Sequence, residues 1–204
     1  MKLLASLLMS AALAAPALVH AQAETTKVDL AKGEASYAGV CVACHGADGN
    51  STSAAYPSIA QQQPEYLLRQ LLDFKSGKRV DAVMQGMASV LSDEDARNVS
   101  WWLASQKAKP GFAKDQELVT LGERIWRGGV QERSIAACAA CHSPNGAGIP
   151  IRYPRLSGQY ADYTVKQLND FRSGARQNLE MTAVAAKLND REIKAVSDYI
   201  AGLR

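Results

Sequence analysis

Side chains that bind metals or carry redox chemistry are scarce in this sequence. Its 204 residues include four cysteines and three histidines, and six of those seven fall in two short clusters, Cys41–His45 and Cys138–His142. Four cysteines are too few for a disulfide-dense scaffold. Aromatic residues make up 6% of the chain, so no large aromatic core is available. A charge surplus is also missing: 23 Lys and Arg face 20 Asp and Glu, a balance that excludes a protein built to bind nucleic acid. With 47% apolar and 21% charged residues, the composition is that of a folded chain, neither disordered nor collagen-like.

Long apolar runs are absent except at the start. Lys2 gives a positive beginning, Leu3–Val19 is apolar apart from Ser6 and Ser10, and Ala21 and Ala23 are small residues suited to cleavage. Residues 1–23 therefore read as a secretory signal cut after Ala21 or Ala23. An uncleaved anchor is the weaker reading, because the run is short for a bilayer span and Pro16 interrupts it. Cleavage removes His20 and leaves a soluble chain exported to an oxidising compartment, the periplasm. The mature halves differ slightly in charge: residues 24–109 carry 9 basic and 10 acidic groups, and residues 110–204 carry 13 and 10.

The chain repeats itself. At an offset of 97, Cys41, Cys44 and His45 fall on Cys138, Cys141 and His142, and the register holds to the C-terminus with 23 identities in 67 pairs. Upstream the register changes: Gly33 and Tyr37 match Gly122 and Trp126 at an offset of 89. The expected organisation is a signal at 1–23, one domain at 24–108, a Pro- and Gly-containing connector at 109–116 and a second domain at 117–204.

Each copy has helical patterning, so the expected class is all-α. Asp29–Val40 leads as a helix into the first cluster. Pro64 suits the first turn of a helix running to Phe74, with Gly77 just beyond, and Ala161–Arg172 with Gly174 is its counterpart. Ser92 with Asp95, and Asn189 with Glu192, have the spacing of capping boxes, and Leu188 with Ile193 that of a hydrophobic staple. Trp101, Trp102 and Tyr199 are expected to pack on Tyr37 and Trp126.

Both clusters are C-x-x-C-H, the attachment signature of haem c. Thiols two residues apart reach the two vinyl groups on one side of a porphyrin, and the adjacent imidazole lies under the iron. Structural zinc would require a fourth donor that neither cluster has, a thioredoxin-like pair would require a βαβ setting, and disulfides would leave His45 and His142 without a role. The expected cofactors are two covalent haem c groups, anchored by Cys41, Cys44, Cys138 and Cys141. Elimination then gives the second axial ligands. Met84, Met87 and Met181 are the only mature methionines, and Met84 and Met181 each follow their cluster histidine by 39 residues. His45 with Met84 and His142 with Met181 are the expected iron ligands. Met87 falls on Val184 and is expected to be a packing residue, so the choice of Met84 over Met87 rests on the repeat alone.

On these motifs the chain resembles the dihaem class I cytochromes c of the cytochrome c4 type. It shares the tandem C-x-x-C-H domains, Gln-x-x-x-Tyr at Gln62–Tyr66 and Gln159–Tyr163, and Phe-x-x-Gly at Phe74–Gly77 and Phe171–Gly174. It departs from that pattern mainly in a short loop before Met84. The resemblance implies two class I domains whose haems face each other, with Pro57 and Pro154 offering carbonyls to the imidazoles. It also implies that Gly33 packs near Trp102 and Gly122 near Tyr199. Arg79 and Arg176 are repeat-matched candidates for contacts to haem propionates, since a guanidinium suits a carboxylate. The implied function is electron transfer, not catalysis, between a quinol-oxidising complex and a terminal cytochrome c oxidase of the cbb3 type. Such a carrier docks transiently on its redox partners. An alternative is the electron-accepting subunit of a dehydrogenase complex, such as a flavocytochrome sulfide dehydrogenase.

Overall fold

The structure is a computed structural model that describes residues 27–204; the expected signal at 1–23 lies outside the described residues. The first copy contains α1 (Leu30–Val40), α2 (Val42–His45), α3 (Pro64–Lys75), α4 (Ala82–Ser89) and α5 (Asp93–Ser105). The second contains α6 (Gln116–Gly128), a 3-10 turn (Gln131–Arg133), α7 (Ala139–His142), α8 (Ala161–Ser173), α9 (Leu179–Ala185) and α10 (Asp190–Gly202). Among the described residues the only β structure is two isolated bridges, Val130 with Ile135 and Ile149 with Tyr153. No described helix is long and apolar enough to cross a membrane.

Each copy is built on a crossing of its first and last long helices, α1 on α5 and α6 on α10. Glycine makes the crossing close. A Cβ at Gly33 would collide with the Asn98 carbonyl, and one at Gly122 with the Ala195 carbonyl and, at 2.7 Å, Tyr199 Cβ. The aromatic partners expected from the sequence lie at these crossings: Tyr37 and Trp102 have ring centroids 4.7 Å apart, and Trp126 and Tyr199 6.3 Å. Trp101 departs from the expectation. It is only partly buried and carries the Arg97 guanidinium over its ring at 5.9 Å, because one helical step from Trp102 turns it away from α1.

The helix ends follow the sequence closely. Both capping boxes form: the Ser92 hydroxyl accepts from Asp95 N, the Asn189 side chain accepts from Glu192 N, and each acidic side chain returns to the cap amide. Such a cap contributes about 1 kcal/mol. Pro64 occupies the first turn of α3, and Gly174 ends α8 with φ 81°. Leu188 and Ile193 are both buried.

The connector is strapped to both copies. Asn50 donates to the Lys107 carbonyl (3.0 Å) and accepts from Lys109 N (2.8 Å). At the other end, buried Asp198 accepts from Lys114 N (2.9 Å) and Asp115 N (3.0 Å). Gly111 passes so close to the Ala201 and Gly158 carbonyls that a Cβ would meet them at 2.6 and 2.8 Å.

Candidate cofactor sites

The two clusters lie on single helical turns, α2 and α7, immediately after the thiol that begins each one. Three residues of helical advance place both thiols of a cluster on one side, and the histidine follows them inward. His45 and His142 are buried. His45 Nδ1 lies 2.9 Å from the Pro57 carbonyl oxygen, and His142 Nδ1 lies 3.0 Å from that of Pro154. A carbonyl only accepts, so Nδ1 carries the proton and donates it, leaving the Nε2 lone pair uncommitted. Burial holds both imidazoles below the ordinary histidine value, against the opposing effect of the proline carbonyls. Each is thus a neutral ring with a fixed tautomer and one free nitrogen, which is what a metal-ligating histidine requires.

Met84 and Met181 occupy corresponding places in α4 and α9. The N-cap side chains Asp81 and Asn178 accept from the methionine amides at 3.0 and 2.9 Å. Both methionine side chains are partly buried, whereas Met87 is 42% exposed. Met87, expected to be a packing residue, is thus largely at the surface. Its counterpart Val184 packs against the second core.

Cys138, Cys141, His142 and Met181 all line one cavity of about 460 Å³, a volume within the range of about 300–1,000 Å³ usual for ligand and cofactor sites. Trp126, Leu168, Phe171 and Leu188 form its apolar wall, and Pro57, Ile59, Tyr66, Leu67 and Arg79 reach it from the other copy. Cys41, Cys44, His45 and Met84 are outside that lining, which touches their site at Pro57, the carbonyl partner of His45.

These residues fit a covalently held haem. Two thiols, one free imidazole nitrogen and one thioether converge in the second copy, and the first repeats the set. The fit to a thiol redox pair is poor: as thiols, Cys41 and Cys138 are pushed up to about 11, chiefly by burial, opposite to the lowering that thiolate chemistry needs. Among the described residues there is no group of three or more His, Cys, Asp and Glu able to hold a metal ion.

The copies meet face to face through reciprocal bonds. Gln62 accepts from Arg155 N (2.8 Å) and donates to the Arg155 carbonyl (2.9 Å); Gln159 does the same to Ser58, accepting from N (3.1 Å) and donating to O (2.8 Å). Ser58 and Arg155 are themselves repeat partners, so the contact has the self-complementary form of a two-fold interface. Sequence reasoning found both glutamines as repeated letters without this role. It was legible only as two identical polar residues held at one offset.

The cytochrome c family description matches residues 30–107 and 131–204. Cytochrome c4 of Pseudomonas aeruginosa is 45% identical over 99% of this chain and 98% of its own. The chain belongs to the cytochrome c4 family. The crystal structure of reduced recombinant cytochrome c4 from Pseudomonas stutzeri is 42% identical, with a TM-score of 0.84 over 87% of this chain and 100% of that one. A protein of Stutzerimonas stutzeri named thiosulfate dehydrogenase electron acceptor is 38% identical over 80% of this chain and 78% of its own. The all-α, tandem-domain expectation and the expected cofactors hold: this is a dihaem electron-transfer cytochrome with covalent haem c on Cys41 and Cys44 and on Cys138 and Cys141.

Proposed function

We propose that this cytochrome is a periplasmic carrier of single electrons from a quinol-oxidising complex to a terminal cytochrome c oxidase. His45 and Met84 are the axial ligands in one domain, and His142 and Met181 in the other. The observation that carries this reading is the repetition, in both domains, of a histidine committed through Nδ1 to a proline carbonyl and a methionine whose amide is capped. Each bound haem supplies a one-electron iron couple. The proline carbonyls orient the rings and raise the basicity of Nε2. The Met84 and Met181 thioethers would supply the second ligand to each haem, so that no position would be open to substrate and the chain would act as a carrier. The apolar walls keep water from the sites and so limit the reorganisation that accompanies each electron.

The ferric protein is expected to show the long-wavelength absorption of methionine–iron ligation at two sites per molecule. Met84→Leu and Met181→Leu each remove half of it, and Met87→Leu leaves it intact. A count below two in the unaltered protein, or loss in Met87→Leu and not in Met84→Leu, overturns the ligand assignment. The place in the chain of carriers is tested separately, by mixing reduced protein with native membranes: oxidation that stops when the terminal oxidase is inhibited supports it, and no oxidation at all removes it.

A second reading, the electron-accepting subunit of a dehydrogenase complex, is favoured by the relative named thiosulfate dehydrogenase electron acceptor. A flavocytochrome sulfide dehydrogenase is one such complex. Gel filtration of native material as a monomer, without flavin or a second polypeptide, excludes that arrangement.

A further inference from the structure

The cavity that holds Cys138, Cys141, His142 and Met181 is closed by charged residues from both domains. Arg79 donates to Gln70 Oε1 (2.8 Å) in its own domain and to Gln167 Oε1 (2.8 Å) and the Tyr163 hydroxyl (3.1 Å) in the other. Arg176 mirrors it, donating to Gln167 Oε1 (2.7 Å), Gln70 Oε1 (2.8 Å) and the Tyr66 hydroxyl (2.9 Å). Two guanidiniums and two amide oxygens thus form a closed square across the interface. Because each arginine bonds both glutamines, neither belongs to one domain alone.

The square holds two positive charges side by side with only neutral acceptors. Among the described residues neither arginine forms an ion pair. The acids near the ends of the preceding helices α3 and α8 are engaged elsewhere, Asp73 with Lys78 and Asp170 with Lys166, although Asp170 still acts on Arg176 at longer range. Each guanidinium is held from one side by its own domain's aromatic ring, Arg79 over Phe74 at 4.5 Å and Arg176 over Phe171 at 4.6 Å. The Tyr66 and Tyr163 hydroxyls accept from the arginines, and no acceptor for their own protons exists among the described residues. The cluster therefore presents positive charge and free O–H donors to the cavity, a combination that is costly unless anions enter it.

We propose that Arg79 and Arg176 form one anion-holding centre shared by both haems, engaging their carboxylate side groups so that the charge of each arginine acts on both irons. A fixed cation favours the reduced state, which carries one positive charge fewer, so the centre raises both potentials together. The inference rests on each domain holding a haem and is independent of the identity of the redox partners.

The test is a redox titration of the holoprotein resolved haem by haem, with covalent haem content confirmed by absorbance. Arg79→Gln and Arg176→Gln each lower both potentials, by about tenfold in the reduction equilibrium of the more affected haem, equivalent to about 59 mV for a one-electron couple. Arg79→Lys, which keeps the charge and loses the fork, restores most of the shift. Gln62→Ala breaks interdomain bonds without altering charge and leaves both potentials in place. A glutamine variant that moves only one potential, or neither, overturns the shared centre. So does a Gln62→Ala variant that moves both potentials as far as Arg79→Gln does, since the arginines would then act only by positioning the domains.

Discussion

Gln159 holds Ser58 by both ends of its backbone, accepting from its N–H at 3.1 Å and donating to its carbonyl at 2.8 Å. The two residues are 101 positions apart and belong to different domains. Through the repeat, Gln62 holds Arg155 in the same way. Four hydrogen bonds of two symmetry-related pairs thus set how the haem-bearing faces approach one another.

Truncating one of these glutamines leaves a partly buried backbone N–H and carbonyl without partners. Gln62→Ala or Gln159→Ala is expected to cost about 1–3 kcal/mol, two hydrogen bonds at about 0.5–1.5 kcal/mol each. Differential scanning calorimetry checks this, and the double variant should resolve two transitions where the parent shows one. A single unchanged transition in the double variant means that the bonds do not couple the domains.

Gly122 is the tightest point of the α6–α10 crossing. Gly122→Ala drives a Cβ into the Ala195 backbone, which cannot move aside as a flexible side chain could. Overpacking of this kind costs about 1–3 kcal/mol, and here the upper end is expected because the obstacle is backbone. A denaturant titration should show a lower midpoint. Gly128→Ala on the same helix, with open space around the glycine, serves as the comparison and should not be destabilised by collision.

The Asp95 carboxyl is held below its ordinary value, first by the Ser92 hydroxyl and then by Ser36 across the α1–α5 contact. A depressed folded value means that the unfolded chain takes up a proton first as acid is added. The contribution is complete above the unfolded value of about 3.9 and is lost as pH falls below it, through the lower folded value. Melting temperature against pH should therefore fall less steeply below pH 4 in Asp95→Asn than in the parent. Equal slopes would show that this carboxylate carries no acid sensitivity.

The haem anchors were legible in the sequence because the chemistry is local: two thiols and an imidazole within five residues do not depend on the rest of the chain. The capping boxes at Ser92 and Asn189 were legible for the same reason, since each closes over three residues. The proposed ligands Met84 and Met181 rest on the repeat, which offers by symmetry a long-range pairing that a single copy conceals. Met87 was expected to pack and is instead exposed, because the alignment with Val184 conveys residue type and not the burial that each copy gives it.

The sequence by itself determined the class, the duplication, the cofactor and its anchors, all carried by short-range spacing or by comparison of the chain with itself. Only the tertiary structure decided how the copies meet. Gln62 with Arg155, and Arg79 with Gln167 and Tyr163, are pairs 84–93 residues apart, and no local pattern encodes them. Their partners are selected by the packing of two folded faces, and it is there that two single-haem domains become one dihaem carrier.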